Sequence, residues 1–347
     1  MKQDNGSAVL SIEEVSEITV AALAGAGADK VNAEAVARTV TVAERDGAAS
    51  HGLFRVPGYV AALKSGKVNG AARPVVKEIA PSVIRADGDR GFAPLTHEAV
   101  AAPLADLAKR QGVALAAVLN VAHFSALWRE TGLVAEHGCV ALACVSYMPM
   151  VAPAGGKAKL FGSDPVSFAW PRPDGEPMIF DQATAARAMG EVQIAAREGK
   201  ALPPGVGIDA DGNDTTDPND IQKGGALLPF GGYKGSAIAL MVELLAGPLI
   251  GECLGFEAAA EDNRDGGPPL GGEFILAIDP LRTRTETGRS GFAGSGGSAG
   301  EHAERLFGRM LEMEGVRLPG DGRKGRRERV AREGVRIPLA LYEKIVG

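Results

Sequence analysis

No apolar run in these 347 residues approaches the roughly 20 positions that a membrane-spanning helix needs. The opening residues, Met1-Lys2-Gln3-Asp4-Asn5, lack the apolar stretch of a secretory signal. Cysteine is scarce: Cys139, Cys144 and Cys253 stand among apolar neighbours without metal-ligand spacing, and read as reduced core thiols of a cytoplasmic protein. There is no P-loop, no GxSxG elbow and no HExxH, which removes the commonest kinase, hydrolase and zinc-protease readings. Internal repeats and a clean domain linker are also missing. The net charge of -6 argues against nonspecific nucleic-acid binding by the whole chain. Concentrated positive charge is confined to residues 323–332 (RKGRRERVAR). Glu328 interrupts that run and no aromatic interleaves to stack on bases, so it reads as a solvated tail or loop rather than a nucleic-acid patch.

What is present is an ordinary globular composition, 45% hydrophobic and 23% charged, at a length that suggests two or three packed subdomains. Ser11 and Glu14 have capping-box spacing ahead of the apolar line Ile12, Val15, Ile18 and Ala22. A second helix carries Ala33, Val36, Val40 and Ala43 on one face and ends at Gly47. Thr96 can cap a helix bearing Val100, Leu104 and Leu107 that stops at Gly112. Residues 113–119, 140–145, 178–180 and 273–278 read as strands, and 124–137, 184–199 and 301–313 as helices. Residues 238–246, apolar nearly all round apart from Glu243, predict a buried helix. Strands and helices mix without a regular βαβ rhythm, so the expected fold class is mixed α/β (α+β) rather than a doubly wound sheet.

The five histidines are the first candidates for proton transfer near neutral pH. His97, within a helix start, and His137, before a glycine, read as structural or exposed, and His302 sits in the first turn of a late helix. His51 follows Ser50 and precedes Arg55 by four residues. On a helical turn His51 and Arg55 share a face. A guanidinium that grips a carboxylate beside an acid that delivers a proton suits a substrate with a carboxylate next to a reducible double bond. By itself a surface or capping pair explains the same spacing. His123 follows a strand end, where a helix N-terminus can offer amides to phosphate, but beside Phe124 and Trp128 it reads alone as a satisfied core histidine. The run Gly294–Gly300 opens a helix and can cradle phosphate or act as a flexible linker. It is not a Rossmann fingerprint, because it neither begins directly after a strand nor opens a clear βαβ unit.

Read together, SHGLFRVPGY, AHFSALW, FGSDPVSFAWP, IFDQATAA, GGALLPFGGYKGSAIALMVELLAG and RLPGDGR, in that order from about residue 10 to 340, resemble the malate/L-lactate dehydrogenase-like NAD(P)H oxidoreductases. HFSALW and the stretch VQIAAREGKALPPGVGIDADGNDTTDP carry a closer likeness to the Δ1-piperideine-2-carboxylate/Δ1-pyrroline-2-carboxylate reductases within them. The resemblance implies a non-Rossmann cofactor domain with a largely antiparallel sheet (residues 76–309) and a helical domain made from both chain ends (1–75 and 310–347). It also implies a homodimer, with no membrane or nucleic-acid partner. The implied reaction is NADPH-dependent reduction of cyclic ketimines to L-proline or L-pipecolate, with NADH as the alternative cofactor and no metal. A 2-oxo-acid reductase of the lactate or malate type is the alternative enzyme. A non-catalytic nucleotide-binding protein on the same scaffold is the alternative of another class.

By the same resemblance Ser50, His51 and Glu191 match the relay, with His51 as proton donor. Arg55 and Ser163 match the substrate contacts. Positions matching the cofactor contacts are His123, Phe124, Ser125, Ala126 and Leu127; Asp181, Gln182 and Ala183; Met189 and Gly190; Tyr233 and Lys234. The looser run Gly296, Gly297, Ser298, Ala299, Gly300, Glu301 and His302 completes them. The chain departs from the resembled pattern at two of these places and one neighbour: Glu191 stands for an aspartate, Tyr233 for a common histidine, and Ala122, before His123, for another.

Overall fold

The computed structural model describes residues 2–4, 6–283 and 298–347. Its centre is a seven-stranded sheet in the order Val75–Ala80, Val83–Asp87, Val113–Ala122, Leu270–Ile278, Val140–Val145, Val166–Trp170 and Met178–Gln182. Only the pair Val83–Asp87 with Val113–Ala122 runs parallel; the other five pairings are antiparallel. The fold is mixed α/β, as the irregular alternation of elements predicts. The helix Ala93–Gln111 supplies the crossover between the two parallel strands. Its Val100, Leu104 and Leu107 are buried against Ile84, Val118 and Ile275 of the sheet. This is the amphipathic pattern read from the sequence, now with a partner surface.

A second core joins the two chain ends. Val15, Leu23, Val36, Val40 and Tyr59 from the first three helices pack with Val335, Ile337 and Ile345. A three-stranded antiparallel sheet ties the same regions together: Ser7–Leu10 lies between Lys2–Asp4 and Val335–Pro338. The first helix, Ile12–Gly25, starts at the capping box, with Ser11 Oγ accepting from the Glu14 amide at 3.1 Å and Glu14 accepting from the Ser11 amide at 2.9 Å. The second spans Lys30–Arg45 and buries the predicted Ala33, Val36, Val40 and Ala43.

Four local readings change. The third predicted helix is capped at Phe92, with Pro94 in its first turn. Thr96 lies inside it, fully buried, with its hydroxyl lacking a partner among the described residues. Residues 123–127 are not helical; the helix begins at Trp128 and ends at Ala135, so the preceding segment keeps its amides for other use. The apolar helix Tyr233–Ala246 buries Ala239, Val242 and Glu243 but leaves Leu240, Met241 and Leu244 exposed. Its composition told of apolar surroundings on all sides; within one chain only one face has them.

The basic stretch is not a tail. It forms the helix Gly322–Glu333, and its arginines grip the body of the protein. Arg327 binds Asp46 with Nε and Nη2 at 2.5 and 2.7 Å, Arg326 Nε donates to the Asp46 carbonyl at 2.6 Å, and Arg323 stacks 4.5 Å above the Trp128 ring. A solvated charge run and a bracing one have the same composition. The difference is a buried acid 281 positions away.

Candidate active site

The SHGLFR segment folds as two consecutive 3-10 turns, Ala49–His51 and Leu53–Arg55, leading into the helix Val56–Lys64. Glu44, at the end of the second long helix, accepts from the Leu53 amide at 2.7 Å. Gly52 is required beneath it, because a Cβ there would meet Glu44 Oε1 at 2.1 Å. Burial raises the Glu44 carboxyl to about 7, against the Leu53 hydrogen bond. The turns hold the three residues named from the sequence together. Ser50 Oγ lies 3.0 Å from His51 Nδ1, and Arg55 Nε donates to the Ser50 carbonyl at 2.8 Å.

The next segment packs on them. The Arg55 guanidinium sits 4.7 Å above the Phe124 ring, a cation–π contact that fixes the plane of the fork. Tyr59, one helical turn beyond Arg55, meets the same ring edge-on at 5.5 Å. Its hydroxyl is buried with no partner among the described residues. Burial, then the neighbouring Arg55 and His123, push the His51 imidazole down to about 4, while Glu130 works in the opposite direction. His51, Arg55 and His123 thus share one electrostatic environment.

His123 is more than a packed core ring. Its Nε2 lies 3.1 Å from Glu130 Oε1, which also accepts from Ser125 Oγ at 2.6 Å. Behind Glu130 are His97 and Glu273, so His97 is buried in a polar group rather than exposed. The sequence reading missed Glu130 and Glu273. The available signal was a lone acid within an otherwise apolar strand, Leu270–Ile278.

A second set of candidates is drawn together by backbone bonds. Thr184 donates twice to the Ser163 carbonyl, from its amide at 2.8 Å and its hydroxyl at 2.9 Å, and its own carbonyl accepts from Phe230 at 2.9 Å. These bonds align half-buried Ser163, the strand end Asp181–Gln182 with Ala183, and the start of the helix bearing Tyr233 and Lys234. Desolvation raises Asp181 to about 6, Arg323 opposing it. Both Tyr233 and Lys234 are exposed, behind Gly231 and Gly232 at positive φ. Gly235 fits only as glycine: a Cβ would lie 2.5 Å from the Phe230 carbonyl oxygen.

Met189 and Gly190 open the helix Met189–Glu198, where Met189 and Ala183 pack on one small apolar cluster. Glu191 is exposed on that helix, and its carboxylate takes a hydrogen bond from Arg187 at 2.8 Å. The described contacts do not join it to Ser50 or His51. Ser298, Ala299, Gly300, Glu301 and His302 form the capped start of the helix Ala299–Leu311, with Ser298 and Glu301 closing a capping box. Gly296 and Gly297 lie outside the described residues. A recess of about 890 Å³ between Leu10, Arg45 and the Gly322–Glu333 helix is lined by none of the candidates.

The family model described as malate/L-lactate dehydrogenase matches residues 10–346. The chain belongs to that family. It is 44% identical over 340 residues to the Δ1-pyrroline-2-carboxylate/Δ1-piperideine-2-carboxylate reductase of Pseudomonas aeruginosa, covering 97% of this chain and 98% of the relative. It is 38% identical to the (2R)-3-sulfolactate dehydrogenase (NADP(+)) of Chromohalobacter salexigens, covering 98% and 97%. The crystal structure of Δ1-piperideine-2-carboxylate reductase from Pseudomonas syringae pv. tomato superposes with a TM-score of 0.89 at 39% identity, over 98% of this chain and 99% of that one. Membership makes the protein an oxidoreductase of a nicotinamide-dependent family. No helix among the described residues is long and apolar enough to cross a membrane.

Proposed function

We propose that the protein reduces cyclic ketimines, Δ1-pyrroline-2-carboxylate and Δ1-piperideine-2-carboxylate, to the corresponding L-imino acids with NADPH as hydride source. The observation that carries this reading is the Ser50–His51 pair held 2.8 Å from the Arg55 side chain through the Ser50 carbonyl. The names of its relatives support the choice of C=N over C=O. Arg55 keeps the terminal amino groups of its fork for a carboxylate, and its stacking on Phe124 sets the orientation of the bound acid. His51 delivers a proton to the ring nitrogen, or holds it there, with Ser50 orienting its Nδ1. A bound carboxylate offsets the Arg55 charge, which after burial is the main cause that depresses His51, and so strengthens its hold on a proton.

The residues fit a dinucleotide. The helix Tyr233–Ala246 opens on exposed Tyr233 and Lys234, and the Lys234 ammonium can meet a phosphate. The buried segment His123–Leu127, Asp181–Ala183 and the start of Met189–Glu198 would hold the remainder, with Ser298–His302 beyond. When bound, the nicotinamide supplies the hydride that reaches the carbon beside the carboxylate. Arg187 is the candidate for a 2'-phosphate. Glu191 is the proposed third member of the relay. A homodimer is supported by the exposed apolar face of Leu240, Met241 and Leu244, and a cytoplasmic location by the reduced cysteines.

The deciding experiment is a spectrophotometric screen of both cyclic imines and of pyruvate and oxaloacetate with NADPH and NADH. Oxidation of NADPH by the imines is the expected result. Turnover of the 2-oxo acids alone would make the protein a 2-hydroxy-acid dehydrogenase, and nucleotide binding without turnover would make it a binding protein.

A further inference from the structure

Beneath His123 lies a buried polar group with no role in the reaction as described. Glu130 is 1% exposed, Glu273 0% and His97 3%. His97, from the helix Ala93–Gln111, approaches Glu273 Oε2 through Nε2 at 2.5 Å and Glu130 Oε1 through Nδ1 at 3.3 Å. Both ring nitrogens therefore face carboxyl oxygens. A neutral imidazole has one N–H and would turn a lone pair on one of them; an imidazolium satisfies both. Burial alone would push His97 down, but the charges of Glu273 and Glu130 outweigh it and raise its affinity for the proton. Burial likewise opposes ionisation of Glu130, yet His97, His123 and Ser125 hold it below the ordinary carboxylate range.

These four side chains also offer one ligand atom each within 4.8 Å of one another. A tetrahedral ion would separate its ligand atoms by about 3.3 Å, whereas His97 Nε2 and Glu273 Oε2 lie 2.5 Å apart, in direct hydrogen-bond contact. Two carboxyl groups around one imidazolium leave negative charge over. The oxygens Glu130 Oε2 and Glu273 Oε1 have no hydrogen-bond partner among the described residues. That charge sits directly behind His123, and from there it acts on the site.

We propose that Glu130, backed by His97 and Glu273, is a positioning residue whose buried negative charge makes the site favour a cationic C=N over a neutral C=O. The proposal rests on the imine-reductase reading. In C=N reduction the transition state keeps part of the iminium's positive charge. In C=O reduction it gains negative charge on oxygen. A fixed negative charge in a dry site stabilises the first and opposes the second. The groups facing His51 are Arg55 and His123, which disfavour its proton, and Glu130, which favours it. The groups facing Glu130 are His97, His123 and Ser125, with Glu273 behind, and its charge also reaches Asp181. Glu130 is thus the negative charge that offsets Arg55 at the proton donor.

The test compares wild type, Glu130→Gln and Glu130→Asp on Δ1-piperideine-2-carboxylate and on pyruvate. Measured on the plateau below the alkaline limb, where His51 is protonated in both proteins, Glu130→Gln is expected to lower kcat/KM for the imine about tenfold while changing that for pyruvate by less than about threefold. The alkaline limb of its imine pH profile should move about one unit lower, and Glu130→Asp should restore part of both. Equal losses on the two substrates, or an unmoved limb, in a folded Glu130→Gln protein would overturn the proposal. So would stoichiometric zinc in the purified wild type. If Glu130→Gln does not fold, Glu273→Gln makes the same comparison. Nitrogen NMR of the wild type keeps the idea testable without any variant: His97 protonated on both nitrogens near pH 7.5 is expected, and a neutral ring there overturns it. Absence of imine turnover by the wild type is a separate outcome that removes the functional reading itself.

Discussion

Glu44 Oε1 accepts the Leu53 amide at 2.7 Å, and this bond between a helix end and a buried turn is what aims His51 and Arg55. The carboxyl is buried and raised from 4.5 to about 7. Between those values the native protein holds a proton that the unfolded chain releases. Stability from this group is therefore lost as pH rises through that window, and the penalty is complete above about pH 7. Glu44→Gln keeps an acceptor for Leu53 and removes the ionisation. It should stabilise the protein by about 2–3 kcal/mol at pH 8 and by little near pH 4.5, measured by denaturant unfolding at the two pH values.

Arg55→Lys should act on orientation more than on charge. Lysine lacks the fork and the flat stacking surface that Arg55 places on Phe124. The expected loss is about 100-fold in kcat/KM, mostly through KM for the imine, with NADPH affinity unchanged. Steady-state kinetics with each substrate varied in turn would check it.

Replacing His51 by Ala should separate two chemistries. A cyclic imine can arrive protonated, while a 2-oxo acid needs a donor for its oxygen. We expect a kcat loss of about 10-fold on the imine and about 1,000-fold on any 2-oxo acid turned over. NADPH binding, followed by fluorescence titration, should survive.

Glu191→Gln tests the relay at an exposed position. Glu191 is paired with Arg187 on the surface, so its loss should leave the melting temperature within about 2 °C. A fall in kcat of about tenfold is the outcome that places it in the relay; unchanged kcat would remove it.

Arg327→Ala should loosen the proton-donor turn from a distance. Asp46 is nearly fully buried and, among the described residues, would keep only Arg45 as an ionic partner. A destabilisation of about 2–3 kcal/mol is expected, with faster hydrogen exchange at the Ser50–Arg55 amides as the readout that locates it.

Local patterns in the chain reported what local physics determines. The Ser11–Glu14 cap fixes a helix start within four residues, and Ser50, His51 and Arg55 meet because they are neighbours in sequence. Arg55 on Phe124 was not legible, because it joins a turn to a segment beyond the first crossover of the sheet. Glu130 and Glu273 were hidden for the same reason. Each looks like an ordinary acid until the sheet places one beside His123 and the other beside His97. The basic helix shows the converse error: charge composition alone favours solvent, and the buried Asp46 and the Trp128 ring explain its attachment.

That attachment also sets an order in time. A chain leaving the ribosome presents Ser50, His51 and Arg55 early, but the arginine that braces their turn emerges only after most of the sheet has been made. Contacts between such distant positions are the slow ones to form. The segments that would grip a dinucleotide are thus complete before the proton donor is anchored. A polypeptide cut short before Arg327 carries the first without the arginine that holds Asp46.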